Sequence, residues 1–144
     1  VVFIHAKASS TPKPYSASAL QEVISQATKN INYLGMYNES IPPNLKDWDK
    51  GWPDGKNPKI PKRILIGKLK GKKTWDKIQS IIRHPHADRE VWLFLGSILS
   101  KSQFEENLAK DSPTPETLQA AHLLRSALTT VASVGAKLRV FCYP

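Results

Sequence analysis

Cysteine and long apolar runs are both scarce in this chain, and each scarcity excludes a class of protein. The single cysteine, Cys142, excludes an internal disulfide framework and favours a reducing compartment, so a cytoplasmic location is expected. No apolar run approaches the roughly 18 residues that a membrane-spanning helix needs, and no signal peptide is visible. We therefore expect a protein that has no membrane partner.

The remaining composition is that of a folded globular protein, with 40% apolar and 23% charged residues among 144. We expect a single domain over residues 1–144, with an irregular insertion at about 38–61 that contains five prolines and two tryptophans. Because the chain starts without methionine and inside an apolar run, we interpret it as an excerpt of a longer protein.

The charge balance indicates a polyanionic partner. Twenty-one Lys and Arg face 12 Asp and Glu, which gives a formal net charge of +9. Nine of the 22 residues from 56 to 77 are basic, and the segment KLKGKK at 68–73 is expected to form a turn that reaches phosphates. A solvated basic loop is the alternative. The candidate nucleic-acid-binding residues are Lys62, Arg63, Lys68, Lys70, Lys72 and Lys73.

Alternating strand and helix patterns predict an α/β fold. Apolar runs predict strands at 1–6, 63–69, 90–99 and 138–143, the first and third of them buried. Capping signals and apolar periodicity predict helices that begin at Ser18, Thr74, Lys101 and Thr114, the last of them ending near Val134.

The first strand ends in a pair of side chains that can carry chemistry. His5 and Lys7 are two residues apart, so they share one face near the carboxyl end of the strand, where ligands gather in open α/β sheets. In the next helix, Glu22, Gln26 and Lys29 fall on one polar stripe. That stripe is either an ordinary solvated face or the lining of a polar pocket over the strand, and spacing alone does not choose.

The segments IHAKAS and SALQEVISQATKN, within residues 1–32, carry a resemblance to a known family. An H-A-K strand followed by a helix with the pattern E-V-x-x-Q-A-x-K resembles PD-(D/E)XK nuclease domains of bacterial helicase-associated and phage-defence proteins. The resemblance implies a restriction-endonuclease-like fold, a three-layer core with a central mixed sheet flanked by helices. It also implies that the N-terminal part of that core, with its first metal-binding acid, precedes Val1.

The activity that the resemblance implies is metal-dependent cleavage of DNA phosphodiester bonds, in anti-phage defence. Lys7, His5 and Gln26 would be the catalytic residues, with Glu22 and Lys29 supporting them. Mg²⁺ or Mn²⁺ would be the cofactor, with His5 as a metal ligand in place of the family's second acid.

The same resemblance implies DNA as a partner, with RNA as the alternative, and a helicase, ATPase or other domain of the parent protein. Two further interpretations stay open. A nuclease fold that has lost its metal site would bind DNA or RNA without cutting it. A basic protein-interaction domain would bind an acidic partner instead.

Overall fold

The computed structural model describes residues 1–9, 15–54, 57–60 and 63–144. The chain divides into two compact units, the sheet unit (Val1–Gly35 and Asp88–Pro144) and the tryptophan unit (Met36–Ala87). Within the described ranges, no helix combines the length and the apolarity that crossing a membrane requires. The strands are β1 (Val2–Ala6), β2 (Trp52–Asp54), β3 (Asn57–Ile60), β4 (Glu90–Ser100) and β5 (Lys137–Tyr143). The α-helices are α1 (Ala17–Lys29), α2 (Gly71–Ile82), α3 (Lys101–Leu108) and α4 (Pro115–Ser133).

The sheet unit is built on three parallel strands in the order β1-β4-β5, with β4 in the centre. Alternate residues of β4, namely Val91, Leu93 and Leu95, are at most 1% exposed. Helices α1 and α4 pack on each other, and both contact the sheet, so this face of β4 forms the core. The predicted α/β class is thereby confirmed, although the three strands are parallel and not the mixed set that was expected.

The residue that caps α1 lies two positions before the predicted cap, Ser18. The hydroxyl of Ser16, a buried residue with extended backbone, accepts a hydrogen bond from the amide of Ala19, whereas Ser18 is exposed within the first turn. Behind this cap the apolar residues recur at helical spacing, as predicted. Leu20, Val23, Ile24 and Ala27 are buried, so the opposite stripe of the helix faces outward.

The other face of the sheet is less buried than the apolar sequence of its strands suggests. Val2 and Ile4 are 39% and 58% exposed, and Phe94 is 38% exposed, so the expectation that β1 is a buried strand is wrong. The reason is topological, because β1 is an edge strand and α1 and α4 lie on the opposite face. On the more exposed face, the rings of Phe94 and Phe141 stack with centroids 4.5 Å apart.

In the tryptophan unit, the predicted strand at 63–69 is wrong. The segment is irregular, and Leu65 and Ile66 are 75% and 94% exposed. Gly67 has a φ of +114°, a conformation outside the extended region that a strand requires. Short strands occur earlier instead, where β2 and β3 pair antiparallel inside the region that was expected to be irregular.

Helix α2 begins at Gly71, three residues before the predicted cap Thr74, so KLKGKK is a helix start and not a free turn. The Asp49 carboxylate accepts a hydrogen bond of 2.8 Å from the Gly71 amide and so caps the helix from another segment. A Cβ at Gly71 would lie 2.9 Å from the carbonyl oxygen of Leu45, so glycine is required by this close approach.

A carboxylate on the exposed sheet face predicts a pH dependence of stability. Arg139 donates two hydrogen bonds to Glu90, of 2.6 and 3.1 Å, and Trp92 donates one of 2.6 Å. These bonds lower the pKa of Glu90 from 4.5 to about 2. The folded state therefore binds this proton less readily than the unfolded state does, and the stabilisation is present above about pH 4.5 and is lost as the pH falls towards 2.

We expect Glu90→Gln to flatten the decline in unfolding temperature below pH 4.5, as followed by circular dichroism. Glu105→Gln is the control, because the Glu105 side chain is 62% exposed and lies 3.9 Å from Lys101. The interpretation is wrong if the two variants lose stability with falling pH to the same extent.

Candidate functional site

The backbone that carries Lys7 is held by an irregularity in β4. The Lys7 amide donates to the carbonyl oxygen of Phe94 at 2.9 Å, one residue beyond the last residue of β1. Gly96 then adopts a φ of +45°, and a Cβ there would lie 3.4 Å from the Lys7 carbonyl oxygen. The Ser97 hydroxyl donates to the carbonyl oxygen of Ser9 at 2.7 Å. The bulge at Gly96 therefore fixes the chain on both sides of Lys7.

Lys7 and Glu22 form an ion pair between β1 and α1. The ammonium nitrogen lies 2.9 Å from Oε1 and 2.8 Å from Oε2, so both carboxylate oxygens accept hydrogen bonds. The Lys7 and Glu22 side chains are 36% and 52% exposed, respectively, so the pair is open to solvent. The structure thus brings together two residues that the sequence placed only on separate elements.

Gln26 and Lys29 are exposed on the same helix stripe as Glu22. These three residues line an open depression of about 450 Å³ on the helix surface. Its remaining lining residues are Ser18, Gln21 and Ser25. The helix geometry therefore provides a carboxylate, an amide and an ammonium group side by side, with serine hydroxyls between them.

His5 lies on the same side of β1 as Lys7, opposite Leu93 in the strand register. The residue is half-buried, and this burial lowers the pKa of its imidazole from 6.5. A neutral imidazole can accept a proton or act as a metal ligand. His5 is therefore in the protonation state that either role needs at neutral pH.

The donors at this site do not by themselves complete a metal centre. The site's imidazole and carboxylate donors are those of His5 and Glu22, and both Glu22 oxygens already accept hydrogen bonds from Lys7. Over the described ranges, no group of three His, Cys, Asp or Glu is arranged to hold a metal ion. Mg²⁺ takes about six oxygen ligands, several of them from water, so an ion at this site would need further donors.

The basic residues that were expected to bind nucleic acid belong to the tryptophan unit, except Lys62, which lies outside the described residues. Lys68 and Lys70 precede α2, while Lys72 and Lys73 lie in its first turn. Lys72 forms an ion pair of 3.0 Å with Asp76. Residues 36–87 hold 12 Lys and Arg against five Asp and Glu, so this unit carries +7 of the formal charge of +9.

Sequence reasoning missed the residues that position Lys7, namely Gly96 and Ser97. A glycine inside an apolar strand pattern is a signal for a bulge or for close approach of another backbone. That signal was present in EVWLFLGSILS. The sequence could not show which strand end the bulge would meet, because β1 and β4 are far apart in the chain.

No protein-family model, curated protein sequence or solved structure matches this chain. The interpretation of the site therefore depends on its own geometry. That geometry joins Lys7 to Glu22 and places Gln26 and Lys29 beside Glu22. His5 lies on the same face of β1 as Lys7.

The burial of His5 predicts a measurable titration. Since burial lowers its pKa in the folded state, the unfolded chain binds this proton more readily, and stability contributed at this position decreases as the pH falls below about 6.5. We expect the His5 imidazole signals to titrate below pH 6.5 in a nuclear magnetic resonance experiment, with His5→Asn used for assignment. His122→Asn, at an exposed helix position, should leave that titration unchanged. A midpoint at or above pH 6.5 would contradict the geometry.

Proposed function

We propose that this chain is a nuclease domain that acts on the phosphodiester backbone of DNA, with its reactive end at Lys7. The observation that carries the proposal is the Lys7–Glu22 ion pair, which holds an ammonium group at the carboxyl end of β1. Ligands of open α/β sheets bind at such ends. The resemblance of the H-A-K strand and the E-V-x-x-Q-A-x-K helix to PD-(D/E)XK nucleases supports the same reaction.

The proposed role of Lys7 is to contact the scissile phosphate. An ammonium group has three donors, and two of them are used by the Glu22 oxygens. The third can point at a phosphate oxygen and stabilise the charge that develops during cleavage. Glu22 orients the ammonium group, so it is a positioning residue in this proposal.

His5, Gln26 and Lys29 would complete the contacts to substrate. A neutral His5 can accept a proton from the attacking water. The amide of Gln26 both donates and accepts, so it can hold that water or a phosphate oxygen, and Lys29 can contact a neighbouring phosphate. A bound Mg²⁺ or Mn²⁺ would activate water and neutralise phosphate charge, but the described donors do not complete its ligand set.

Plasmid cleavage tests this proposal. Supercoiled plasmid is incubated with the protein and Mg²⁺ or Mn²⁺, and nicked and linear products are separated on agarose gels. We expect Lys7→Ala to lower the rate by about 100-fold or more, since such groups contribute roughly 10²–10⁴ to catalysis. Glu22→Gln should lower it less, because the ammonium group remains but is no longer oriented.

The matched control is Lys110→Ala, which removes an exposed lysine of the same unit. It should leave the cleavage rate unchanged. A Lys7→Ala variant that cuts as fast as the wild type would overturn the proposed role of Lys7. A wild-type protein that binds DNA but does not cut it with either metal would overturn the nuclease proposal and leave the second candidate.

The second candidate function is binding of nucleic acid without cleavage. Two observations favour it. Both oxygens of Glu22 accept hydrogen bonds from Lys7, so this carboxylate is already used and does not favour a metal ion for cleavage. The charge of +7 in the tryptophan unit is sufficient for a surface that contacts phosphates without reading sequence. In this case Lys7→Ala would leave the affinity for nucleic acid nearly unchanged. The lysines around α2 would determine that affinity.

The salt dependence of DNA binding tests the role of these lysines. We expect the combined change of Lys68, Lys70 and Lys73 to Gln to reduce the slope of log K against log salt by about 2 to 3, since each duplex phosphate contact contributes about 0.9. Fluorescence anisotropy with a labelled duplex measures the slope. The control changes the same number of charges on the sheet unit, at Lys101, Lys110 and Lys137.

Equal slopes in the two triple variants would contradict a contact surface at α2. Weak binding of the wild type even at low salt would contradict nucleic-acid binding itself and favour an acidic protein partner.

A further inference from the structure

The tryptophan unit contains an apolar cleft that neither the nuclease proposal nor the basic charge explains. The cleft has a volume of about 560 Å³, and we call it the tryptophan cleft. Its walls include the indole rings of Trp48 and Trp52, the apolar residues 64–66, and Arg63. Trp52 is 52% exposed, and Leu65 and Ile66 are 75% and 94% exposed. These large apolar side chains line a cleft that solvent can enter.

Arg63 adds a charged, planar guanidinium group to the lining of the cleft. Its guanidinium carbon lies 4.4 Å from the centroid of the Trp52 ring, so the two flat groups are in contact. The Nε atom of Arg63 is buried and has no hydrogen-bond partner within the described part of the chain. The other N–H groups of the same guanidinium can donate to a ligand that supplies an acceptor oxygen or nitrogen. The cleft therefore fits a ligand that has both a flat apolar surface and a hydrogen-bond acceptor.

The charge around the cleft specifies the rest of the ligand. Exposed lysines follow the cleft-lining segment directly along the chain, at 68 and 70, and continue into the first turn of α2 at 73. The acid nearest to them on the helix, Asp76, is already paired with Lys72. The cationic residues at 68, 70 and 73 thus belong to the same unit as the cleft and follow its lining segment within seven residues. A nucleotide combines these features, because its base is flat and carries hydrogen-bond acceptors and its phosphate is anionic.

We propose that the tryptophan cleft binds an unpaired base of single-stranded nucleic acid, while the lysines at 68, 70 and 73 contact the adjoining phosphates. A base in a duplex offers only its edges, since both of its faces are stacked on neighbouring bases. A base in a single strand offers its face to an aromatic ring, and this stacking tolerates any sequence. The inference rests on the proposed function only in taking nucleic acid as the ligand, and it concerns binding, not cleavage.

Two oligonucleotides that differ only in their bases test the inference. A labelled 12-residue oligothymidylate and an abasic oligomer of equal length carry the same phosphates, and anisotropy without divalent metal measures the affinity for each. We expect the wild type to bind the oligothymidylate about 5- to 150-fold more tightly, the range for one stacked base. Equal affinities would overturn the inference. An oligouridylate measured beside them distinguishes RNA from DNA, and a preference for bases in either one supports it.

Variants then assign the preference to the cleft. Trp52→Ala should abolish it while keeping the affinity for the abasic oligomer, and Trp52→Phe, which retains an aromatic ring, should keep most of it. Tyr37→Ala is the control, because Tyr37 is a 91% exposed aromatic residue of the same unit that does not line the cleft. A preference that survives in Trp52→Ala, with circular dichroism showing an unchanged fold, would overturn the assignment. Binding is measured without divalent metal and without cleavage, so failure of the nuclease proposal would leave this result intact.

Discussion

The burial of one face of β4 is the constraint on which the site of the sheet unit depends. Val91, Leu93 and Leu95 are almost completely buried between the neighbouring strands and the helices α1 and α4. Burying side chains of this size contributes about 1.5–3 kcal/mol each, more than any exposed polar contact of the unit. Because β1 pairs in register with this strand, its carboxyl end is placed next to the glycine bulge at 96. The position of Lys7 is thus a consequence of apolar packing.

The Lys7–Glu22 ion pair has to be understood in that setting. Both side chains are more than a third exposed, and exposed ion pairs typically contribute less than 1 kcal/mol to stability. The hydrogen bond from the Ser97 hydroxyl to the Ser9 carbonyl oxygen already holds the end of β1. The Ser16 hydroxyl, which accepts from the Ala19 amide, already holds the start of α1. The pair is therefore poorly explained as a stabilising contact. In the proposed function its role is to orient the ammonium group of Lys7.

The formal charge is distributed unequally between the two units. The sheet unit carries a net charge of only +2, and several of its basic residues are paired, as Arg139 is with Glu90. The tryptophan unit carries the larger excess and also an exposed aromatic cleft. Phosphate contacts by lysines supply affinity without selecting strandedness, whereas base stacking requires an unpaired strand. Under the proposed function, chemistry would belong to the sheet unit and substrate capture to the tryptophan unit.

The sequence by itself determined the elements whose signals are local. Apolar periodicity and caps are set by neighbours within a few residues, so the starts of α1, α3 and α4, the end of α4 and both ends of β4 and β5 were predicted within two residues. The stripe of Glu22, Gln26 and Lys29 is likewise a property of one helix, and it lines one open depression on the surface of that helix. The strand predicted at 63–69 was wrong because a strand needs a partner strand, and because Gly67, with its positive φ, interrupts the extended backbone of this segment.

Only the tertiary structure decided which residues meet. Fifteen residues separate Lys7 from Glu22, and 22 separate Asp49 from the helix end that it caps. Such pairs depend on how β1, α1 and β4 pack, and no local pattern encodes them. The same holds for exposure, since β1 and β4 have similar apolar sequences but differ in burial because one is an edge strand and the other is central. Local physical chemistry specifies the elements, and the long-range burial of apolar surface selects the contacts that turn them into a site.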